Sequence, residues 1–227
     1  MAKKKESTLI NMLVALLVIA AVSGGVLGLV YGVTKDTIAE VDQKKNEAAI
    51  QAVLPLDGEI IYEADTLIYN YEGVETAFPC TIAKDANGNF QGAAVKTSEG
   101  GFGGKIDMMV GITADGIIKG VSVLSHSETP GLGANMDKVL VGQFADKKPG
   151  DNFSLEVTKT KEKGKVDAIT AATITSRAFT KAVDKAYQAF EANKAQYMNN
   201  APAEEIVPEA EEIEEVTETM EGGQSNE

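Results

Sequence analysis

Apolar residues run from position 9 to position 33 without a single charge, a stretch of 25 residues interrupted only by Asn11, Ser23, Tyr31 and glycines. As a helix it would be roughly 37 Å long, enough to cross a bilayer core of about 30 Å with some tilt. A cleaved secretory signal has a shorter apolar region, about 7–15 residues, ahead of a small-residue cleavage site. The run is therefore read as a retained membrane anchor. Helical spacing continues over residues 34–54 through Ile38, Val41, Ala48 and Val53, and Pro55 closes it. The pattern then changes to strands. Residues 59–62 and 67–71 read as short strands, and residues 80–83 and 90–96 flank Asn87-Gly88, a hairpin turn signal. Residues 105–112 and 117–124 flank Asp115-Gly116, a second turn of the same kind. Residues 134–144 look helical, 153–158 extended, and 173–197 helical again. In that last segment Phe179, Val183, Ala186 and Phe190 share one face, with Lys181, Asp184, Lys185 and Glu191 on the other.

Hairpins followed by helices predict an α+β fold: a single N-terminal transmembrane helix, then a domain with a largely antiparallel sheet and flanking helices. The expected divisions are a basic head (1–8), the membrane helix (9–33), a helical stalk (34–56), the globular domain (57–200) and a tail (201–227). Lys3, Lys4 and Lys5 precede the anchor, which keeps the N-terminus cytoplasmic and places the domain on the outer side of the cell membrane, crossed once.

Charge and composition narrow the chemistry. The net charge is −13. Ten of those charges are glutamates of the tail, which has no lysine or arginine, so the rest of the chain carries only −3. The tail is expected to be disordered, and the near-neutral body has no basic stripe for nucleic acid. A single cysteine excludes an internal disulfide and a multi-cysteine metal site, and one cysteine with one histidine argues against an iron–sulfur cluster or haem on this chain. Any redox cofactor here is organic. Cys80, Met108 and Met109 read as core.

The stretch from Asp167 to Ser176 holds Thr170, Thr173, Thr175 and Ser176 just where the last helix begins. Unpaired N–H groups and the positive end of the helix dipole suit a phosphate there. A helix cap by Thr173 or Thr175 is the commoner use of such residues. Upstream, Gly100-Gly101-Phe102-Gly103-Gly104 reads either as a flexible turn or as backbone able to approach a planar ligand, with Phe102 as one wall. It lacks the Lys-Ser/Thr ending of a triphosphate-binding loop. The segment His126-Ser127-Glu128-Thr129-Pro130-Gly131-Leu132-Gly133 contains a Pro-Gly turn, and no second histidine stands by to make a metal site.

These two segments, with the Gly-Phe-Gly-Gly and Met-Val-Gly-Ile segments that precede the second, resemble in order and spacing the FMN-binding domain of the G subunit of Rnf complexes. The same domain occurs in the C subunit of the sodium-pumping NADH:quinone oxidoreductase. The resemblance covers nearly everything from the anchor to about Tyr197. Asp167, Thr170, Ala172, Thr173 and Thr175 match the flavin-attachment motif, while Ala171 stands where the family has glycine. It implies FMN joined to Thr175 as a phosphoester, with Glu128, Thr129, Leu132 and Gly133 beside the flavin. It further implies an electron-carrying subunit, without a catalytic acid or base of its own, in an ion-pumping (Na⁺ or H⁺) ferredoxin:NAD oxidoreductase. Its partners would be the other membrane and peripheral subunits and a flavin transferase. The absence of long insertions favours the Rnf relative over the quinone-reductase one. A stand-alone exported flavoprotein and a non-redox anchored binding module, with Thr175 as a mere cap, remain open as alternatives.

Overall fold

The computed structural model describes residues 9–198; the basic head and the acidic tail lie outside the described residues. The anchor and stalk form one uninterrupted helix, α1 (Leu9–Val53), of 45 residues. At 1.5 Å per residue it is roughly 68 Å long. Alanine, glutamate, glutamine and lysine are good helix formers and carry it through the stalk. It stops two residues short of Pro55, because a proline disfavours helical backbone in the residue before it. Among the described residues this is the one helix long and apolar enough to cross a membrane, and none of its apolar window is buried against them.

Five strands follow as an antiparallel meander: β1 (Ile60–Tyr71), β2 (Val74–Asp85), β3 (Phe90–Gly100), β4 (Lys105–Thr113) and β5 (Ile118–Ser125). The turns at Asn87-Gly88 and Asp115-Gly116 fall where expected. Each lies in a four-residue connection (86–89 and 114–117), whereas β1 and β2 are joined by a two-residue turn, Glu72-Gly73, with both residues at positive φ (52° and 86°). This is the geometry whose twist suits a tight hairpin. The two short strands expected before it are one. Glu63, Ala64 and Asp65 interrupt the apolar pattern, but Glu63 and Ala64 lie exposed and Asp65 half-buried on the edge strand, where polar side chains are tolerated and the ladder to β2 runs on without a break.

After β5 come a 3₁₀ turn (Gly133–Asn135) and two one-turn helices, α2 (Met136–Val139) and α3 (Val141–Phe144). The single helix expected over 134–144 is thus broken, although Met136, Leu140 and Phe144 keep the helical period and are fully buried. The strand expected over 153–158 shrinks to β6 (Val157–Thr158), which pairs in parallel with β7 (Val166–Asp167). Phe153 instead anchors the loop, edge-on to Phe144. The last helix, α4 (Thr173–Met198), lies where expected.

The sheet is covered on both faces. Phe179, Val183, Ala186 and Phe190 of α4 pack with Ala93, Val95, Met108 and Val110. Side chains alternate across a strand, so Ala94 and Met109 point the other way, onto Ala49, Val53 and Leu54 at the end of α1. This double covering explains why the middle of the sheet reads as continuous apolar sequence. Cys80, Met108 and Met109 are all core. Helix α1 comes so close that a Cβ built on Gly111 would lie 2.0 Å from the Val53 carbonyl oxygen, and one on Gly120 would sit 3.2 Å from the Val53 Cα. Edge strand β1 is laced to α4 by Tyr71 to Asp184 (2.9 Å), Tyr69 to Gln188 (3.1 Å), Asn193 to the Ile68 carbonyl (3.1 Å) and Tyr197 to Asp65 (2.6 Å).

This packing makes two expectations measurable. Gly111→Ala should force the end of α1 off the sheet, destabilising the domain by about 1–3 kcal/mol as overpacking does. The checks are a lowered melting temperature and faster proteolysis between residues 53 and 60. The second concerns alkaline pH. Burial, with Asp65 adding to it, pushes the Cys80 thiol up to about 12, and burial with a carboxylate partner pushes the Tyr71 and Tyr197 phenols up as well. The unfolded chain would release these protons near the ordinary values of 9.0 and 10.0, while the folded protein holds them. Stability from these groups is therefore complete below about pH 9 and declines as the pH rises beyond it. A melting temperature that stays level from pH 8 to pH 11 would contradict this.

Candidate functional site

Three segments meet at one end of the sheet. They are the glycine loop between β3 and β4, the segment after β5 that contains Glu128 and Gly133, and the turn into α4. Their meeting point is a hydrogen bond: the Thr175 hydroxyl donates to Glu128 Oε2 at 2.8 Å. Both residues are buried, Thr175 to 1% exposure and Glu128 to 5%. The other carboxylate oxygen, Oε1, accepts the Gly103 N–H at 3.0 Å. Burying a carboxylate is costly unless its oxygens are hydrogen-bonded, and here each oxygen has one donor from a different segment.

The glycines around this pair are steric requirements. A Cβ on Gly101 would strike Glu128 Oε1; one on Gly133 would strike Glu128 Oε2 and lie 2.7 Å from Thr175 Oγ1. The Glu128 N–H donates to His126 Nδ1 at 3.2 Å, so the histidine serves the conformation of its own loop.

The entrance to α4 is built by Ser176, whose hydroxyl accepts the Ile169 N–H (2.9 Å) and donates to the Ala172 carbonyl (3.0 Å). Gln143 holds the strand before it, pairing with both the N–H (2.8 Å) and the carbonyl (3.1 Å) of Asp167. Thr175 lies in the first turn of the helix with its hydroxyl committed to Glu128, so it does not act as a cap. Ala171, at the position where the motif has glycine, takes φ +62°. That is the left-handed region glycine occupies freely and alanine only with strain.

Above Thr175 opens a cavity of about 360 Å³ lined by Phe102, Glu128, Thr129, Leu132, Gly133 and residues 171–175. Its volume falls within the roughly 300–1,000 Å³ usual for small-molecule sites. Phe102 (70% exposed), Ile174 (56%) and Leu132 (42%) stand uncovered around its mouth. At the floor lies the first turn of α4, whose leading N–H groups have no partner within the helix and whose dipole is positive there. Of the motif residues, Ala172, Thr173 and Thr175 line this cavity, whereas Asp167 and Thr170 do not. Thr170 is exposed, and the Asp167 backbone is held by Gln143. Glu128, Thr129, Leu132 and Gly133 all line it. The residue missed as a candidate is Ile174: an apolar side chain turned away from the buried stripe of α4 was the available signal. A larger cleft of about 1040 Å³ near Asn152 and Gly164 contains none of the candidate residues.

The FMN-binding domain family model matches residues 101–188, from the glycine loop into α4. The G subunit of the ion-translocating oxidoreductase complex of Aliivibrio fischeri strain MJ11 is 34% identical, over 80% of this chain and 88% of its own length. This chain belongs to that G-subunit family. The G subunit of the Na(+)-translocating ferredoxin:NAD(+) oxidoreductase complex of Acetobacterium woodii is 35% identical, over 78% of this chain and 88% of its own length. An archaeal member, the G subunit from Methanosarcina acetivorans, is 32% identical over 82% of this chain and 95% of its own length. The fold is also that of a solved structure, the C subunit of the Na(+)-translocating NADH-quinone reductase from Parabacteroides distasonis. It matches with a TM-score of 0.50 and 19% identity, covering 72% of this chain and 96% of that one.

The cavity fits the FMN of the family. Its rim is apolar and aromatic, as a flavin ring requires, and its floor is a helix N-terminus, which suits a phosphate. Among the described residues no lysine or arginine lines it, so the helix end is the main electropositive feature there.

The strain at Ala171 is testable. Ala171→Gly should relieve roughly 1–2 kcal/mol of left-handed strain and lose about 0.4–1 kcal/mol to the greater freedom of glycine in the unfolded chain. The expected net is a stabilisation on the order of 0.5–1 kcal/mol, read as a raised melting temperature. A lowered one would show that Ala171 is not strained.

Proposed function

We propose that this chain is the flavin-carrying electron-transfer subunit of a membrane-bound, ion-translocating (Na⁺ or H⁺) ferredoxin:NAD oxidoreductase, with one FMN esterified to Thr175. The observation that carries the reading is the position of the Thr175 hydroxyl, at the floor of an apolar-rimmed cavity and at the N-terminus of a long helix. Membership of the G-subunit family supports the redox role and the company of other membrane and peripheral subunits. When bound, FMN supplies reversible one- and two-electron transfer, which no side chain of the protein provides.

The chain's own residues perform the holding. Thr175 is the tether. The first turn of α4 receives the phosphate, which stays negative and is favoured by the helix dipole. Phe102, Leu132 and Ile174 flank the ring and shed water from it, and Thr129 and Gly133 complete the wall. Asp167 and Thr170, which lie off the cavity, are read as features met by the flavin transferase rather than by the flavin. The anchor and the lysines before it support a position of the domain on the outer side of the cell membrane. A covalent bond suits that location, because FMN lost there could not be recaptured from the cytoplasm.

Trypsin should release Thr175 in the peptide 166–177. From a host expressing the flavin transferase, this peptide should carry the added mass of an FMN moiety, and the denatured protein should fluoresce as a flavin in a gel. Thr175→Ala should lose both signals while keeping its fold by circular dichroism. Recovery of an unmodified wild-type peptide from such a host would overturn the proposal. So would flavin that survives denaturation in Thr175→Ala.

A further inference from the structure

Attachment of a phosphate to Thr175 requires its hydroxyl proton to leave. In the folded domain that proton already points at a carboxylate, Glu128 Oε2, 2.8 Å away. The Gly103 N–H fixes the carboxylate's orientation by holding Oε1, and Gly101 and Gly133 leave room for it where no other residue would. Among the described residues, Glu128 is the sole ionisable one lining the cavity. The nearby imidazole is engaged, since His126 Nδ1 accepts the Glu128 N–H.

There is also a problem of charge. A phosphodiester on Thr175 bears one negative charge, and the esterified oxygen can no longer donate to Glu128. Left ionised, the buried carboxylate would lose its Thr175 donor and face a second anion at close range, an arrangement that strongly disfavours the charged form. Both difficulties have one resolution.

We infer that Glu128 is the proton acceptor for modification of Thr175 and that it keeps the proton afterwards, as a neutral carboxyl donating to the new phosphodiester. This rests on the reading of Thr175 as the flavin tether. The co-reactant is a phosphoanhydride of FMN, of the flavin dinucleotide class. Thr175 Oγ1 attacks the FMN phosphorus, and the new O–P bond forms as the anhydride O–P bond breaks. The second phosphate departs with its nucleoside, and the hydroxyl proton passes to Glu128 Oε2. No electrons are exchanged. The geometry gives Glu128 two successive tasks: as a base it raises the nucleophilicity of an otherwise inert threonine hydroxyl, and as an acid it removes a repulsion that would expel the phosphate.

The test uses the full-length chain in detergent, the purified flavin transferase and FAD, with attachment followed by intact mass. Wild-type protein should load. Glu128→Gln preserves the shape but cannot take up the proton; its kcat for loading should fall by about 10²-fold or more, the usual contribution of a general base. Its KM for the acceptor protein should stay within about threefold of wild type, since recognition is untouched. A Glu128→Gln protein that loads at the wild-type rate, or that is impaired only in KM, overturns the assignment. A second measurement needs no variant. With ¹³C-labelled glutamate, the infrared difference between loaded and unloaded wild-type protein should show a new protonated-carboxyl band that moves with the label and in heavy water. Its absence overturns the retained proton, and this measurement decides alone if Glu128→Gln fails to fold. Failure of the wild type itself to load would instead remove the Thr175 reading on which the inference stands.

Discussion

The hydrogen bond between Thr175 and Glu128 joins residues 47 positions apart in sequence and ties a helix start to the loop after a strand. Through Gly103 it also reaches the turn between two other strands. Three separate segments thus converge on one carboxylate, and the glycines at 101 and 133 are required because that carboxylate occupies the space their side chains would need. Buried polar pairs are tolerated only when fully satisfied. That condition is strict, and it makes the local geometry hard to vary without losing the cavity.

The sheet supplies the rigidity behind this contact. Its two faces are closed by helices from opposite ends of the chain, α4 over one and the end of α1 over the other. The edge strand most open to solvent, β1, is fastened to α4 by side-chain hydrogen bonds along much of its length. The first turn of α4, which forms the floor of the cavity, is therefore carried by a helix anchored over its whole buried face.

Much of this was legible in the sequence where the determining forces are local. The Asn87-Gly88 and Asp115-Gly116 turns, the uncharged run ending at residue 33, and the spacing of Phe179, Val183, Ala186 and Phe190 each need only near neighbours to be interpreted. The rest depends on partners distant in sequence. Residues 60–71 form one strand because β2 supplies a continuous ladder across a polar interruption that periodicity alone treats as a break. The two-residue strands at 157 and 166 exist only through each other. At the site, the chemistry-bearing residue types could be picked out and the resemblance put them in one family. Which of them face the cavity could not be told, and Asp167 and Thr170 turn out to lie off it. The Glu128–Thr175 contact could not be anticipated either, because no spacing rule links a loop to a helix 47 residues later.

The close fit of Val53 against Gly111 and Gly120 has a mechanical consequence. Gly111 lies six positions beyond Lys105 on β4, roughly 20 Å along the strand from the glycine loop at the cavity. Helix and sheet are locked together at one end of that span, and the cavity sits at the other. The pocket accordingly rides at a set reach from the membrane rod, like a lamp on a fixed bracket. Changing that reach would require prising Val53 off the two glycines.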